Sequence, residues 1–195
     1  MTIESIFPTP IYYSGVEVYS LDDITKEIDD ALDKTEFSYR SDWGKTHHLS
    51  DTTFKQNFIV DNALDTLQDE IRHHILVYLA NVACPKPREY DITSSWVSLF
   101  KPGDYGHIHT HGYYDISGVY YHSTNGEDGD LFFNSPDTNL STSYCFEQAS
   151  WPWIHSPQKG KISLFPSWVP HGIQTNETDS DRVSISFNIT FNNRI

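Results

Sequence analysis

The stretch KPGDYGHIHTHGYYDISGVYY, residues 101–121, has to be read together with PSWVPHGIQ at 166–174. In the first, His107, His109 and His111 stand at alternating positions. Side chains at i, i+2 and i+4 of a β-strand leave the same face, so on a strand these imidazoles converge. Two imidazoles two residues apart, with a third at His171 roughly sixty residues on, suit a metal ion held between strands of a β-barrel with open positions left for chemistry.

Working outward, everything after Asp91 reads as strands and turns. Candidate strands span 92–100, 116–122, 130–134, 161–165, 171–175 and 182–191, separated by turn clusters such as NGEDGD and NETDSD. In the last strand Val183, Ile185, Phe187, Ile189 and Phe191 share one face, and Arg182, Ser184, Ser186, Asn188 and Thr190 share the other. Two arrangements fit that alternation. In an ordinary sandwich the polar face meets water. In a barrel with a polar interior the apolar face lies under helices, and Arg182 and Ser184 are aimed at an anionic ligand that the guanidinium can bind through two parallel hydrogen bonds.

The helices come from the first half. Ser20 is an N-cap for LDDITKEIDDALDK, with Asp22 and Asp23 in the first turn and Leu21, Ile24, Ile28, Ala31 and Leu32 on one stripe. A second helix over 62–81 carries Leu64, Leu67, Ile71, Ile75, Tyr78 and Leu79 at the same spacing, and the prolines of ACPKPREYD, 83–91, end it. Residues 5–19 read as a broken edge strand. Residues 35–61 read as a long loop with short extended pieces, whose pair His47 and His48 is either a surface feature or part of a loop over an active site. His73 and His74 read as surface or core-edge positions of the second helix. The fold expected is one domain, 1–195, with helical support over 1–91 packed on one face of an antiparallel β core over 92–195.

Composition limits the function. The 195 residues carry 27 acids against 13 bases, a formal charge of −14 that repels phosphate backbones and disfavours nucleic acid as a partner. The N-terminus lacks the basic and apolar segments of a signal peptide, and no apolar run is long enough for a membrane span. Cys84 and Cys145 make no metal-like pair, and a reducing cytoplasm is the expected location. The sequons at Asn139, Asn176 and Asn188 are then chance matches.

The run GDYGHIHTHGYYDISGVYY, the later KGKISLFPSWVPHGI and the closing DRVSISFN resemble the 2-oxoglutarate- and Fe(II)-dependent oxygenases (2OG-Fe(II) oxygenases), relatives of the prolyl 4-hydroxylase-like enzymes. IFPTPIYY is similar to that family's opening. The resemblance implies a mainly β (α+β) fold, a double-stranded β-helix or jelly-roll, cupin-like barrel with two N-terminal helices packed on one face. It implies a hydroxylase that takes Fe(II), 2-oxoglutarate and dioxygen, with ascorbate a further cofactor of such enzymes. It places His109 as first metal ligand and His171 as the distal one, and gives Arg182, with Ser184 beside it, the far carboxylate of 2-oxoglutarate. Tyr120 or Tyr121, Tyr120 taken first, adds a hydrogen bond to that cosubstrate.

The wider superfamily has a carboxylate as second ligand, and this chain offers His111 there. Asp115 shares the strand parity of His109 and His111, and a bulge at Gly112 would bring it in. His107 is a cavity residue or an alternative ligand. Two other readings stay open: a cupin-like three-histidine dioxygenase that does not use 2-oxoglutarate, and a non-catalytic jelly-roll module with structural zinc, for which His107 or Asp115 would complete four ligands. Trp96, Trp168 and Phe165 are expected as packing, and Trp151–Trp153 as either packing or a substrate lid. The substrate is not legible.

Overall fold

The computed structural model describes residues 8–41, 44–51, 53, 55–82, 89–137, 139 and 151–192. The first residues of the opening strand, the proline break at 83–88, Cys84 and Cys145 lie outside them. The strands are β1 (Tyr12–Gly15), β2 (Ser38–Tyr39), β3 (His48–Leu49), β4 (Tyr90–Phe100), β5 (Gly106–His109), β6 (Ile116–Ser123), β7 (Leu131–Phe133), β8 (Trp153–His155), β9 (Lys161–Pro166), β10 (His171–Ile173) and β11 (Arg182–Phe191). The helices are α1 (Leu21–Leu32), α2 (Phe58–Asp61) and α3 (Asp65–Asn81). No helix among the described residues is long and apolar enough to cross a membrane.

The strands form two antiparallel sheets. The major sheet runs β1-β9-β6-β11-β4-β3-β2 and the minor one β5-β10-β7-β8. This is the mainly β jelly-roll layout expected, with one correction: the sheets face each other but keep separate edges, so the barrel is not closed by a continuous ladder. The short strand β8 and the one-turn helix α2 were not read from the sequence, because three or four residues are too few to show a period.

Two cores follow from the alternation of β11. Ile185, Phe187 and Ile189 are fully buried with Ile24, Ile28, Leu67, Ile71 and Ile75 of α1 and α3, so the apolar face lies under the helices. The opposite face points between the sheets, where Val119, Tyr121, Leu131, Phe133, Phe165 and Val169 form a smaller cluster. Gly118 marks how tightly the central strands pack: a Cβ there would come within 2.8 Å of the Leu164 side chain and closer still to the Phe187 ring.

The helices are fixed by hydrogen bonds as well as burial. Ser20 caps α1 as expected, its Oγ accepting the Asp23 N–H at 3.1 Å. For α3, Leu64 cannot cap, and Glu27 of α1 does it from across the interface by accepting from the N–H groups of Thr66 and Leu67, both at 3.0 Å. His74 is fully buried, not at the edge: its Nε2 lies 2.9 Å from the Glu70 carboxylate and its Nδ1 2.7 Å from the Tyr12 hydroxyl.

Candidate metal centre

His109 ends β5 and His171 begins β10, directly opposite each other in the ladder. His111 lies two residues past β5, where its backbone N–H donates to the Ser167 carbonyl at 2.8 Å and its carbonyl accepts from the Tyr114 N–H at 3.0 Å. The three rings converge: their centroids are 4.9 Å apart for His109 and His111, 4.4 Å for His109 and His171, and 5.1 Å for His111 and His171. One nitrogen from each lies within 4.8 Å of the others.

The proton positions suit a cation. Each Nδ1 faces an oxygen: the His107 carbonyl at 2.8 Å for His109, Asn188 Oδ1 at 2.6 Å for His111, and the Val169 carbonyl at 2.9 Å for His171. A carbonyl oxygen only accepts, so the proton sits on Nδ1 and Nε2 keeps its lone pair. Burial, reinforced by the neighbouring imidazoles, pushes His171 down to about 3 and His111 to about 4, and His109 is lowered as well. All three are neutral at pH 7, the state in which imidazole binds metal. Three convergent neutral nitrogens fit a divalent transition metal.

Strand parity alone puts His107 with the other two, and here the structure departs from it. Ile173 of β10 pairs with Gly106, whereas His171 pairs with His109, so β5 holds one extra residue in a bulge. Gly106 and His109 therefore share the inner face. His107 is exposed, its ring edge-on to Tyr105 at 5.1 Å. Asp115 is also elsewhere, its carboxylate accepting the Phe191 N–H at 2.8 Å, and neither residue joins the cluster among the described residues.

The histidines line one part of a cavity between the sheets, and Arg182, Ser184 and Ser186 from the polar face of β11 line another. Arg182 is completely buried. Its guanidinium carbon lies 5.2 Å from the centre of the Phe100 ring and 5.1 Å from that of Tyr121. Nη1 donates to the Gly129 carbonyl at 2.5 Å, while Nε and Nη2 have no hydrogen-bond partner among the described residues. A buried cation with one edge of its fork unsatisfied is costly unless an anion occupies that edge, and a carboxylate matches the fork. Asp128 is close enough to influence Arg182, but its oxygens already accept from Thr124 Oγ1 and the Asn125 N–H.

The tyrosine assignment needs correcting by register. Tyr121 pairs with Ser184 and faces the interior beside Arg182, whereas Tyr120 pairs with Ile185 and is buried in the helix-side core. Tyr120 therefore does not line the cavity. Of the two readings open for His47, surface feature or part of a loop over the site, its position favours the second. Only 6% exposed, it lines the same cavity and carries its imidazole against Phe100. Phe165 packs on His171 with centroids 4.6 Å apart, and Trp96 lies 5.7 Å from His111, while Trp151, Trp153 and Trp168 are more than half exposed. A second, open cleft on the outer side shares Trp96, His109 and His111 with the inner cavity and adds Arg40, Gln56 and Tyr114. Asn176 and Asn188 are 1% and 2% exposed, so two of the three sequons are inaccessible.

Residues 94–188 match the family described as "Putative 2OG-Fe(II) oxygenase". No curated protein matches the chain. Among solved structures, the fold is similar to the non-heme alpha ketoglutarate dependent epimerase SnoN from nogalamycin biosynthesis, at 14% identity and TM-score 0.66 over 94% of this chain and 79% of that one. It is similar to a Pseudomonas putida prolyl-4-hydroxylase at 13% identity and TM-score 0.56, covering 95% and 94% of the two chains. HygX from Streptomyces hygroscopicus, solved with nickel and 2-oxoglutarate bound, aligns at 11% identity and TM-score 0.61 over 93% of this chain and 83% of that one. At such identities the likeness is one of fold. The matched span contains the whole histidine cluster and Arg182, and over those residues this chain is similar to the 2OG-Fe(II) oxygenase family.

Proposed function

We propose that this chain, as one domain, is an oxygenase that binds Fe(II) through His109, His111 and His171 and anchors the far carboxylate of 2-oxoglutarate on Arg182. The observation that carries the reading is the unsatisfied Nε and Nη2 edge of a completely buried Arg182 in the same cavity as three neutral, convergent imidazoles. A dicarboxylic 2-oxo acid fills both requirements, with one end at the metal and the other at the guanidinium. Bound iron supplies the activation of dioxygen, by which the 2-oxo acid is oxidised to succinate and carbon dioxide and a substrate C–H bond becomes C–OH.

The chain's own residues bind and orient. Phe100 and Tyr121 hold the guanidinium plane from the two rings it contacts, so that its open edge is presented in one orientation. Ser184, paired with Tyr121 and buried beside Arg182, offers a hydroxyl to the same carboxylate. The Nδ1 hydrogen bonds keep each Nε2 aimed at the metal. The outer cleft that shares His109, His111 and Trp96 is the place for the substrate.

His111 in place of a carboxylate favours a second reading, a three-histidine dioxygenase that binds its substrate directly to the metal. In that case the open edge of Arg182 has no assigned use. A closed structural zinc site finds no fourth ligand among the described residues, since His107 and Asp115 point elsewhere. Anaerobic addition of Fe(II) and then 2-oxoglutarate separates these readings. The weak visible charge-transfer band of a chelated 2-oxo acid is expected, and is lost in His171→Ala. Iron binding with no band, and turnover without succinate, would favour the second reading.

A further inference from the structure

We propose that Asn188 is the positioning residue that aims the His111 imidazole at the metal. The proposal rests on the metal-centre reading above. His109 and His171 are oriented by backbone carbonyls, which belong to the fold itself. His111 lies outside the strands, and its Nδ1–H is received by a side chain 77 residues away at 2.6 Å.

Asn188 is built for that task. It is 2% exposed, on the polar face of β11, at the point where the β11–β4 register shifts between Asn188 and Ile189. Its Oδ1 also accepts from the Ser117 hydroxyl at 2.7 Å, and its Nδ2 donates to Ser94 Oγ at 3.1 Å, so the amide is held from both ends and cannot flip without breaking bonds. Ser117 Oγ in turn lies 2.8 Å from Ser167 Oγ, and the Ser167 carbonyl takes the backbone N–H of His111. Backbone and ring of His111 are thus fixed by one connected set of partners.

The choice of amide matters chemically. An amide oxygen accepts the Nδ1 hydrogen bond without drawing the proton away. A carboxylate in its place would strengthen that bond and raise the basicity of Nε2. With Asn188 the protein contributes three neutral ligands, and compensation of the metal's charge falls to the anion that enters with it.

The test is anaerobic titration of Co(II) into the metal-free 195-residue chain, followed by calorimetry and by the visible Co(II) spectrum, for the parent, Asn188→Ala, Asn188→Asp and His111→Ala. Thermal unfolding of each metal-free variant checks that it is folded. Asn188→Ala is expected to weaken Co(II) binding about 10- to 100-fold. Asn188→Asp, which keeps the shape and the acceptor, is expected to bind at least as tightly as the parent with a shifted spectrum. Affinity in Asn188→Ala within threefold of the parent, while His111→Ala is impaired, overturns the role of Asn188 alone. Equal loss in the Ala and Asp variants also overturns it, by showing a merely structural part. Parent affinity retained in His111→Ala overturns the ligand assignment beneath the proposal.

Discussion

The imidazole of His47 lies flat on the ring of Phe100, with centroids 4.5 Å apart and planes 8° from parallel. Phe100 is also one of the two rings on which the Arg182 guanidinium rests. Burial first, then the influence of His109, holds His47 down to about 4, so it is a neutral wall of the cavity that also feels Arg182. A stacked ring pair contributes about 0.5–1.5 kcal/mol, and 1.4 kcal/mol corresponds to about tenfold in affinity. His47→Ala is therefore expected to raise the KM for 2-oxoglutarate up to about tenfold while metal stoichiometry stays at that of the parent. Unchanged KM would reduce His47 to packing.

For Arg182 the expected effect is larger and confined to the cosubstrate. Removing a doubly hydrogen-bonded partner of a buried carboxylate costs about 2–5 kcal/mol, so Arg182→Ala should weaken 2-oxoglutarate binding by at least about 30-fold. Co(II) affinity should be unaltered, because the guanidinium is no part of the histidine cluster. Arg182→Lys should rescue poorly, since an ammonium cannot reproduce the planar fork. Direct titration of 2-oxoglutarate into the Co(II)-loaded proteins decides this, and equal affinity in parent and Ala variant would remove Arg182 from the site.

What could be read beforehand follows from which forces act locally. The alternation of β11 is unbroken over ten residues, so its two faces, and with them Arg182 and Ser184, were legible. Helix α1 was legible because its cap and stripe lie within its own sequence. His107 was misplaced because a one-residue bulge in β5 reverses the parity on which the reading depended, and a bulge leaves no mark in a four-residue strand. Tyr120 and Tyr121 are adjacent, so only the register with Ile185 and Ser184 separates core from cavity. His47 precedes a two-residue strand that is ordered by pairing with β4, a partner some fifty residues on.

The buried imidazoles set the pH dependence of the metal-free protein. His171, His111 and His47 are held near 3, 4 and 4, against about 6.5 in an unfolded chain. Between those values the unfolded chain binds protons that the folded chain refuses, so stability is full above about pH 6.5 and is lost as pH falls toward 4. Each histidine contributes a slope of up to about 1.4 kcal/mol per pH unit in that window. The urea midpoint of the metal-free protein should be level from pH 8 to 7 and fall steeply from 6.5 to 5. A midpoint that stays level down to pH 5 would show that these rings are not buried as neutral groups.

Glu70 tests whether the helical layer depends on polar contacts as well as on its apolar stripe. It is fully buried on α3 and accepts from the backbone N–H groups of Glu17, Val18 and Tyr19 at 2.5, 2.9 and 3.0 Å, besides facing His74 Nε2. One carboxylate thus ties the segment between β1 and α1 to the helix that covers the major sheet. An N–H group left without a partner costs about 1–3 kcal/mol, with the low end applying where water can enter. Glu70→Ala is therefore expected to lose about 3 kcal/mol in urea unfolding, and Glu70→Gln, which retains one acceptor oxygen, distinctly less. Because α3 lies on the opposite side of the major sheet from the histidines, Co(II) affinity of the folded variants should match the parent. An Ala variant as stable as the parent would show that solvent replaces the carboxylate at this junction, and that burial alone docks the helix.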